Sequence, residues 1–204
     1  KFTNMYHPSV ENLVKNNLNL DKNIIVTGPN AAGKTTLIKA TIINILFSQQ
    51  LGFGFFDKCD ISTFDYIHCY LNIPDSCSRD SLFQSEARRC KNILDIIENN
   101  PNQKHFCIFD ELYSGTNPYE AISSAYAYLD FISKNKKVKF LLTTHFIRLC
   151  NLFKQKKHIK NKSMKTIIEN HKAKYLYKVE DGISKIKGGV SVLKDLEYPD
   201  NIIN

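Results

Sequence analysis

Apolar residues in this chain gather into short blocks that alternate between two periods. Compact runs of five to eight read as buried strands: residues 23–27 (N-I-I-V-T), 64–71 (F-D-Y-I-H-C-Y-L), 105–109 (H-F-C-I-F) and 138–143 (V-K-F-L-L-T). Longer stretches carry apolar positions at helical spacing. Helices are expected over 33–50, 81–99, 118–134 and 145–155. In the second of these, Leu82, Phe83, Ala87, Cys90, Leu94 and Ile97 fall near one face, and Pro101 ends it. Segments 164–169 and 174–180 suggest a hairpin, and a last helix is expected near 189–196. Strand alternating with helix predicts an α/β sandwich with a mostly parallel sheet. In such sheets ligands sit at the carboxyl ends of strands.

The strongest chemistry lies at such ends. Gly28-Pro29-Asn30-Ala31-Ala32-Gly33-Lys34-Thr35-Thr36 follows the first strand directly and has the form G-x-x-x-x-G-K-[ST]. The glycines let the backbone curl until its N–H groups face a polyphosphate, and the following helix adds its positive end. Lys34, expected in a solvent-facing loop, is placed to reach the β- and γ-phosphates of ATP, and the Thr35 hydroxyl to bind Mg²⁺. Strand 105–109 ends in Asp110-Glu111: one acid placed to hold Mg²⁺, the other to orient or deprotonate water. Strand 138–143 repeats the design with Thr143-Thr144-His145, where the histidine can meet the γ-phosphate.

Length and composition add bounds. The 204 residues suit one domain with a real core. No apolar run approaches the roughly 20 residues that span a bilayer. Six cysteines without a C-x-x-C pair point to a reduced, intracellular setting, with Cys69, Cys90 and Cys107 as core residues. The net charge of +8 is carried mostly by lysine, in runs at 134–139 and 154–162. Such runs serve either as a solvated surface or as a footprint for nucleic acid, and no aromatic residues interleave them.

The three segments, in this order, resemble the ABC-type branch of the phosphate-loop ATPases. Finer features resemble the ATPase domain of the MutS family of DNA mismatch-repair proteins. These are T-G-P-N-A-A-G-K-T-T, Ser48-Gln49-Gln50-Leu51-Gly52, Ser81-Leu82-Phe83-Gln84-Ser85-Glu86, Asp110-Glu111-Leu112-Tyr113-Ser114-Gly115-Thr116 and Thr144-His145-Phe146. His7-Pro8 and Asn16–Leu20 resemble the family's lead-in, and Tyr177–Gly182 with the run to Pro199 its closing segment. The resemblance implies a single domain over 1–204: a lead-in at 1–22, a nucleotide-binding core at 23–155, and C-terminal strands with a closing helix at 156–204. The fold it implies is an ABC-type phosphate-loop NTPase, a mostly parallel sheet flanked by helices with a small antiparallel element.

The resemblance further implies Mg²⁺-dependent ATP hydrolysis in a homodimer or heterodimer. There Ser81 of one chain would meet the nucleotide of the other. Val14 and Tyr177 become candidates for the adenine contact, although Tyr177 is equally readable as a core aromatic. Leu13 stands where the family tends to place a stacking ring, and Arg79 stands where it has glycine, followed by Asp80. MutS-type readers insert the Phe of a Phe-x-Glu motif beside the mispair. The one such motif here is Phe109-Asp110-Glu111, committed to the acid pair. DNA contact by this chain is therefore expected to be weak and non-specific, with no membrane role. A nucleotide-gated adaptor and a transporter nucleotide-binding subunit are the competing functions. The missing L-S-G-G-Q sequence counts against the second.

Overall fold

The computed structural model describes residues 1–71, 81–169, 172–184, 186, 198, 199 and 201. The expected helix near 189–196 and the Arg79-Asp80 departure lie outside the described residues.

Six strands form the main sheet: β3 (Asn23–Thr27), β5 (Tyr66–Tyr70), β6 (His105–Asp110), β7 (Val138–Thr144), β8 (Ile159–Glu169) and β9 (Lys172–Asp181). Their order is β5-β6-β7-β3-β8-β9. All neighbours are parallel except β8 and β9, which form the antiparallel hairpin. The sheet is buried on both faces, which is why its strands read as continuous apolar runs. On β6, Phe106 and Ile108 face one core while Cys107 and Phe109 face the other. The first core packs on α1 (Lys34–Leu51), the second on α2 (Leu82–Asn99), α3 (Pro118–Ser133) and α4 (Ile147–Leu152). The mixed α/β architecture expected from the alternation is therefore the one observed.

Helix boundaries follow local chemistry. Gly33 in the left-handed region precedes α1, and Gly52, also left-handed, ends it. Ser81 and Gln84 close a capping box at the start of α2. Asn117 caps α3, with Pro118 in its first turn. The α4 helix is shorter than the expected 145–155 at both ends, giving way to turns after Leu152. The first hairpin strand begins at Ile159 rather than 164, because parallel pairing with β3 starts at Asn23 and Ile159.

The lead-in is also structured. β1 (Phe2–Met5) pairs antiparallel with β2 (Asn16–Leu18) and β4 (Lys58–Cys59). This small sheet lays Phe2, Met5 and Leu18 against α1. Asn44, buried on α1, ties it to the helix by donating to the Tyr6 carbonyl and accepting from the Phe55 N–H. The five described cysteines are free thiols; Cys90, Cys107 and Cys150 are buried and Cys69 is half-buried. No helix among the described residues is long and apolar enough to cross a membrane.

At the opposite end of the sheet from the loops, His68 and His105 form a buried pair. His105 Nε2 lies 2.9 Å from the Asn100 carbonyl, which can only accept, so that nitrogen carries the hydrogen. His105 Nδ1 must then accept from His68 Nε2 at 3.1 Å. Burial, with His105 beside it, lowers the His68 pKa to about 4. The folded state thus resists a proton that the unfolded chain accepts near 6.5. Stability from this group is fully present above about pH 6.5 and is lost as the pH falls toward 4. The loss expected across that window is about 3 kcal/mol. Urea unfolding of the wild type and His68→Leu at pH 7 and pH 4.5 checks this: the variant should lose less stability on acidification.

Candidate functional site

Parallel register brings the three chemical segments to one edge. Val26 pairs with Thr143, and Thr143 pairs with Asp110, so β3, β6 and β7 end almost level. The Gly28–Thr36 loop, the Asp110-Glu111 pair and His145 leave the sheet side by side. Asn30, Lys34, Thr35, Asp110 and Glu111 line a cavity of about 580 Å³.

The loop is held tightly. Gly28 and Pro29 are buried, whereas Asn30, Ala31 and Thr36 are exposed. Ala31 and Gly33 both take positive φ, 63° and 92°. A Cβ on Gly33 would sit 3.0 Å from the Tyr177 ring, and one on Gly28 would sit 3.0 Å from Met164 Cβ. Ala32 packs fully into the core.

Lys34 does not occupy the solvent-facing position expected of it. It starts α1, is 6 % exposed, and its Nζ donates to the Gly28 and Pro29 carbonyls at 2.9 and 3.1 Å. Desolvation pushes its pKa down, while Glu111 and Asp110 oppose that shift. The ammonium is therefore a buried charge with two carbonyl acceptors and an acid 3.7 Å away.

Thr35 Oγ1 donates to Asp110 Oδ2 at 2.9 Å, and Thr143 Oγ1 donates to Asp110 Oδ1. One hydroxyl and one carboxylate thus converge from two elements. Both are hard oxygen donors suited to Mg²⁺, which typically takes one or two protein oxygens and fills the rest with phosphate and water. Among the described residues no group of three or more His, Cys, Asp or Glu could hold a metal by itself.

Glu111 is half-buried, with φ 53°. Its Oε1 lies 3.6 Å from His145 Nδ1 and 3.7 Å from Lys34 Nζ. His145, against the opposing effect of burial and with help from Lys34, holds the Glu111 carboxyl below its usual range. An ionised carboxylate facing the cavity can accept a proton from water.

Tyr177 (φ 54°) bridges this cavity to a second of about 480 Å³, lined by Val14, Leu13, His7, Leu37 and Met164. Apolar walls beside a glycine loop can take a planar base. Val14, Thr36 and Tyr177 are therefore together in the structure, with Tyr177 46 % exposed rather than in the core. Ser81 lies apart from these groups at the exposed head of α2. Its Oγ accepts from Gln84 N–H at 3.3 Å.

Two further residues, Tyr70 and Glu86, belong to this site without having been assigned chemistry from the sequence. Both are 2 % exposed and both line the cavity beside the Gly28–Thr36 loop. Tyr70 ends a strand and reads as core. Glu86 entered only as the last residue of the S-L-F-Q-S-E run, with no role of its own.

Gly33→Ala would force a side chain into the left-handed region and against the Tyr177 ring. It should cost about 1–2 kcal/mol of stability, the usual penalty of that backbone region. Chemical denaturation of the variant beside wild type measures it.

Comparison with known proteins bears on the whole chain. A family model described as MutS domain V matches residues 24–204. The DNA mismatch repair protein MutS of Persephonella marina is 32 % identical over 97 % of this chain and 23 % of its own length. That of Phocaeicola vulgatus is 32 % identical over 96 % of the chain and 23 % of its length. That of Pseudothermotoga lettingae is 31 % identical over 98 % and 25 %. The chain spans about a quarter of the length of these relatives. With a domain model matched across nearly all its residues, the chain belongs to the MutS family.

Proposed function

We propose that the chain is an ABC-type, phosphate-loop ATPase domain of a MutS-like mismatch-repair or DNA-maintenance protein, and that it dimerises around ATP. The observation that carries this reading is the convergence of Lys34, Thr35, Asp110 and Glu111 on one cavity, with Thr35 and Asp110 2.9 Å apart. The loop N–H groups and Lys34 bind the phosphates, and Val14 and Tyr177 flank the base. Thr35 and Asp110 would hold Mg²⁺, which would supply charge neutralisation on the phosphate oxygens. Glu111 orients the water and takes its proton, while His145 steadies Glu111 and faces the γ-phosphate. Ser81, exposed at the head of α2, serves the site of a second copy.

DNA contact by this domain is secondary. Lys134 and Lys156 are paired with Asp130, and Lys160 and Lys162 with Asp181, so part of the basic surface is already neutralised. Phosphate contact by the remaining lysines is sequence-independent and fades with salt.

Glu111→Gln should retain ATP binding and slow hydrolysis by about two orders of magnitude or more, the cost of losing a general base. Equilibrium binding of labelled ATP alongside single-turnover hydrolysis tests this, and wild-type turnover in the variant removes Glu111 from the role. Mixing Ser81→Ala with Lys34→Ala chains should leave one intact shared site per mixed dimer and restore activity that neither has alone. Absence of rescue at concentrations where the chains associate contradicts a shared site.

A further inference from the structure

The segment after Glu111 is held by a carboxylate that the proposed chemistry does not use. Glu86, on the second turn of α2, is 2 % exposed. Its Oε1 accepts from the Ser114 N–H at 3.1 Å and the Ser114 hydroxyl at 3.2 Å. Its Oε2 accepts from the Gly115 N–H at 3.0 Å. No lysine, arginine or histidine pairs with it among the described residues. A buried carboxylate without a counter-charge is costly, and three donors offset that cost only if they are held in place.

Two further contacts lock the same junction. A Cβ on Gly115 would fall 2.6 Å from Leu82 Cγ and 2.9 Å from the Phe83 nitrogen, so a side chain there would force the segment off the helix. The Phe83 and Tyr113 rings lie 5.6 Å apart. The segment itself is strained: Glu111 and Tyr113 both sit in the left-handed region without being glycine. Such conformations persist only when their surroundings over-determine them. Glu86 supplies that restraint three and four residues beyond Glu111. The N-cap of the same helix, five residues before Glu86, is Ser81.

We propose that Glu86 is a positioning residue that fastens the Glu111–Thr116 segment to the head of α2. It thereby sets Glu111 in this chain's own site and the Ser81 edge offered to a second copy as one rigid block. This inference rests on the ATPase reading above. Its hydrogen bonds go to Ser114 and Gly115, and it acts through the backbone of those two residues.

Glu86→Gln in the full chain tests it. The amide keeps the volume but turns an NH₂ toward a backbone donor. Single-turnover hydrolysis should fall about tenfold or more, as small displacements of reacting groups do. ATP affinity should stay within about threefold, because the loss is in the reacting geometry rather than in ground-state binding. In nucleotide-free protein the Ser114 and Gly115 amides should exchange faster while those of β6 keep their protection. Gly115→Ala, which breaks the junction from the other side, should behave alike. Mixing supplies a further readout. Glu86→Gln chains mixed with Lys34→Ala chains should not be rescued as Ser81→Ala chains are, because the chain with the intact loop carries the displaced Glu111. Unchanged turnover, affinity lost in proportion to turnover, unchanged amide exchange, or rescue equal to that of Ser81→Ala would each overturn the proposal. A wild-type chain that binds but never turns over ATP would defeat the ATPase reading and this inference together. An active wild type with an indifferent Glu86→Gln would defeat this inference alone.

Discussion

The parallel pairing of β3, β7 and β6 is the constraint on which the site depends. Strands about 4.8 Å apart that end level with one another place three successive loops within side-chain reach. A slip of one residue would send Thr143 to the opposite face and remove a hydrogen bond that steadies Asp110. The register is secured from both cores, by Ile24, Val26, Phe106, Ile108 and Leu141 on one face and Ile25, Cys107, Phe109, Phe140 and Leu142 on the other. It is also secured by Asn23, whose side-chain oxygen accepts from the Phe140 N–H at 2.9 Å. Apolar burial therefore sets the positions of groups that are themselves polar.

Those polar groups work against stability. Lys34 and Glu86 lie almost wholly out of water, and Ala31, Glu111, Tyr113 and Tyr177 occupy left-handed backbone that glycine would take more readily. These costs concentrate on one edge of the sheet, where a ligand's phosphates could meet preset donors. Away from that edge the exceptions are Asn4, also left-handed, and the buried His68–His105 pair. The opposition of a well-formed core and a strained, charged rim suits a site whose geometry must exist before its ligand arrives.

Sequence reasoning reached the elements whose signals are local. The strands β3, β6 and β7 were continuous apolar runs, and the starts of α2 and α3 carried their own caps in Ser81, Gln84, Asn117 and Pro118. The Gly28–Thr36 loop, the acid pair and His145 followed from their places at strand ends. What escaped depends on partners distant in the chain. The strands β1, β2 and β4 are two to four residues long and exist by packing against α1. Lys34 is buried because two loop carbonyls and the acids of β6 surround it, which its neighbours in sequence do not announce. Glu86 is buried because its acceptors are filled from residues 114 and 115. The extension of β8 back to Ile159 was masked by Lys160 and Lys162, whose charges are met by Asp181 across the hairpin.

The central claim is that this edge hydrolyses ATP in a site completed by a second copy of the chain. Single-turnover hydrolysis with Mg²⁺, followed over a wide range of protein concentration, tests it most directly. ATP should bind at all concentrations, and the rate constant should rise steeply with protein until the dimer saturates. Turnover independent of concentration would contradict the shared site, and ATP bound without turnover at any concentration would make the domain a nucleotide-gated adaptor instead.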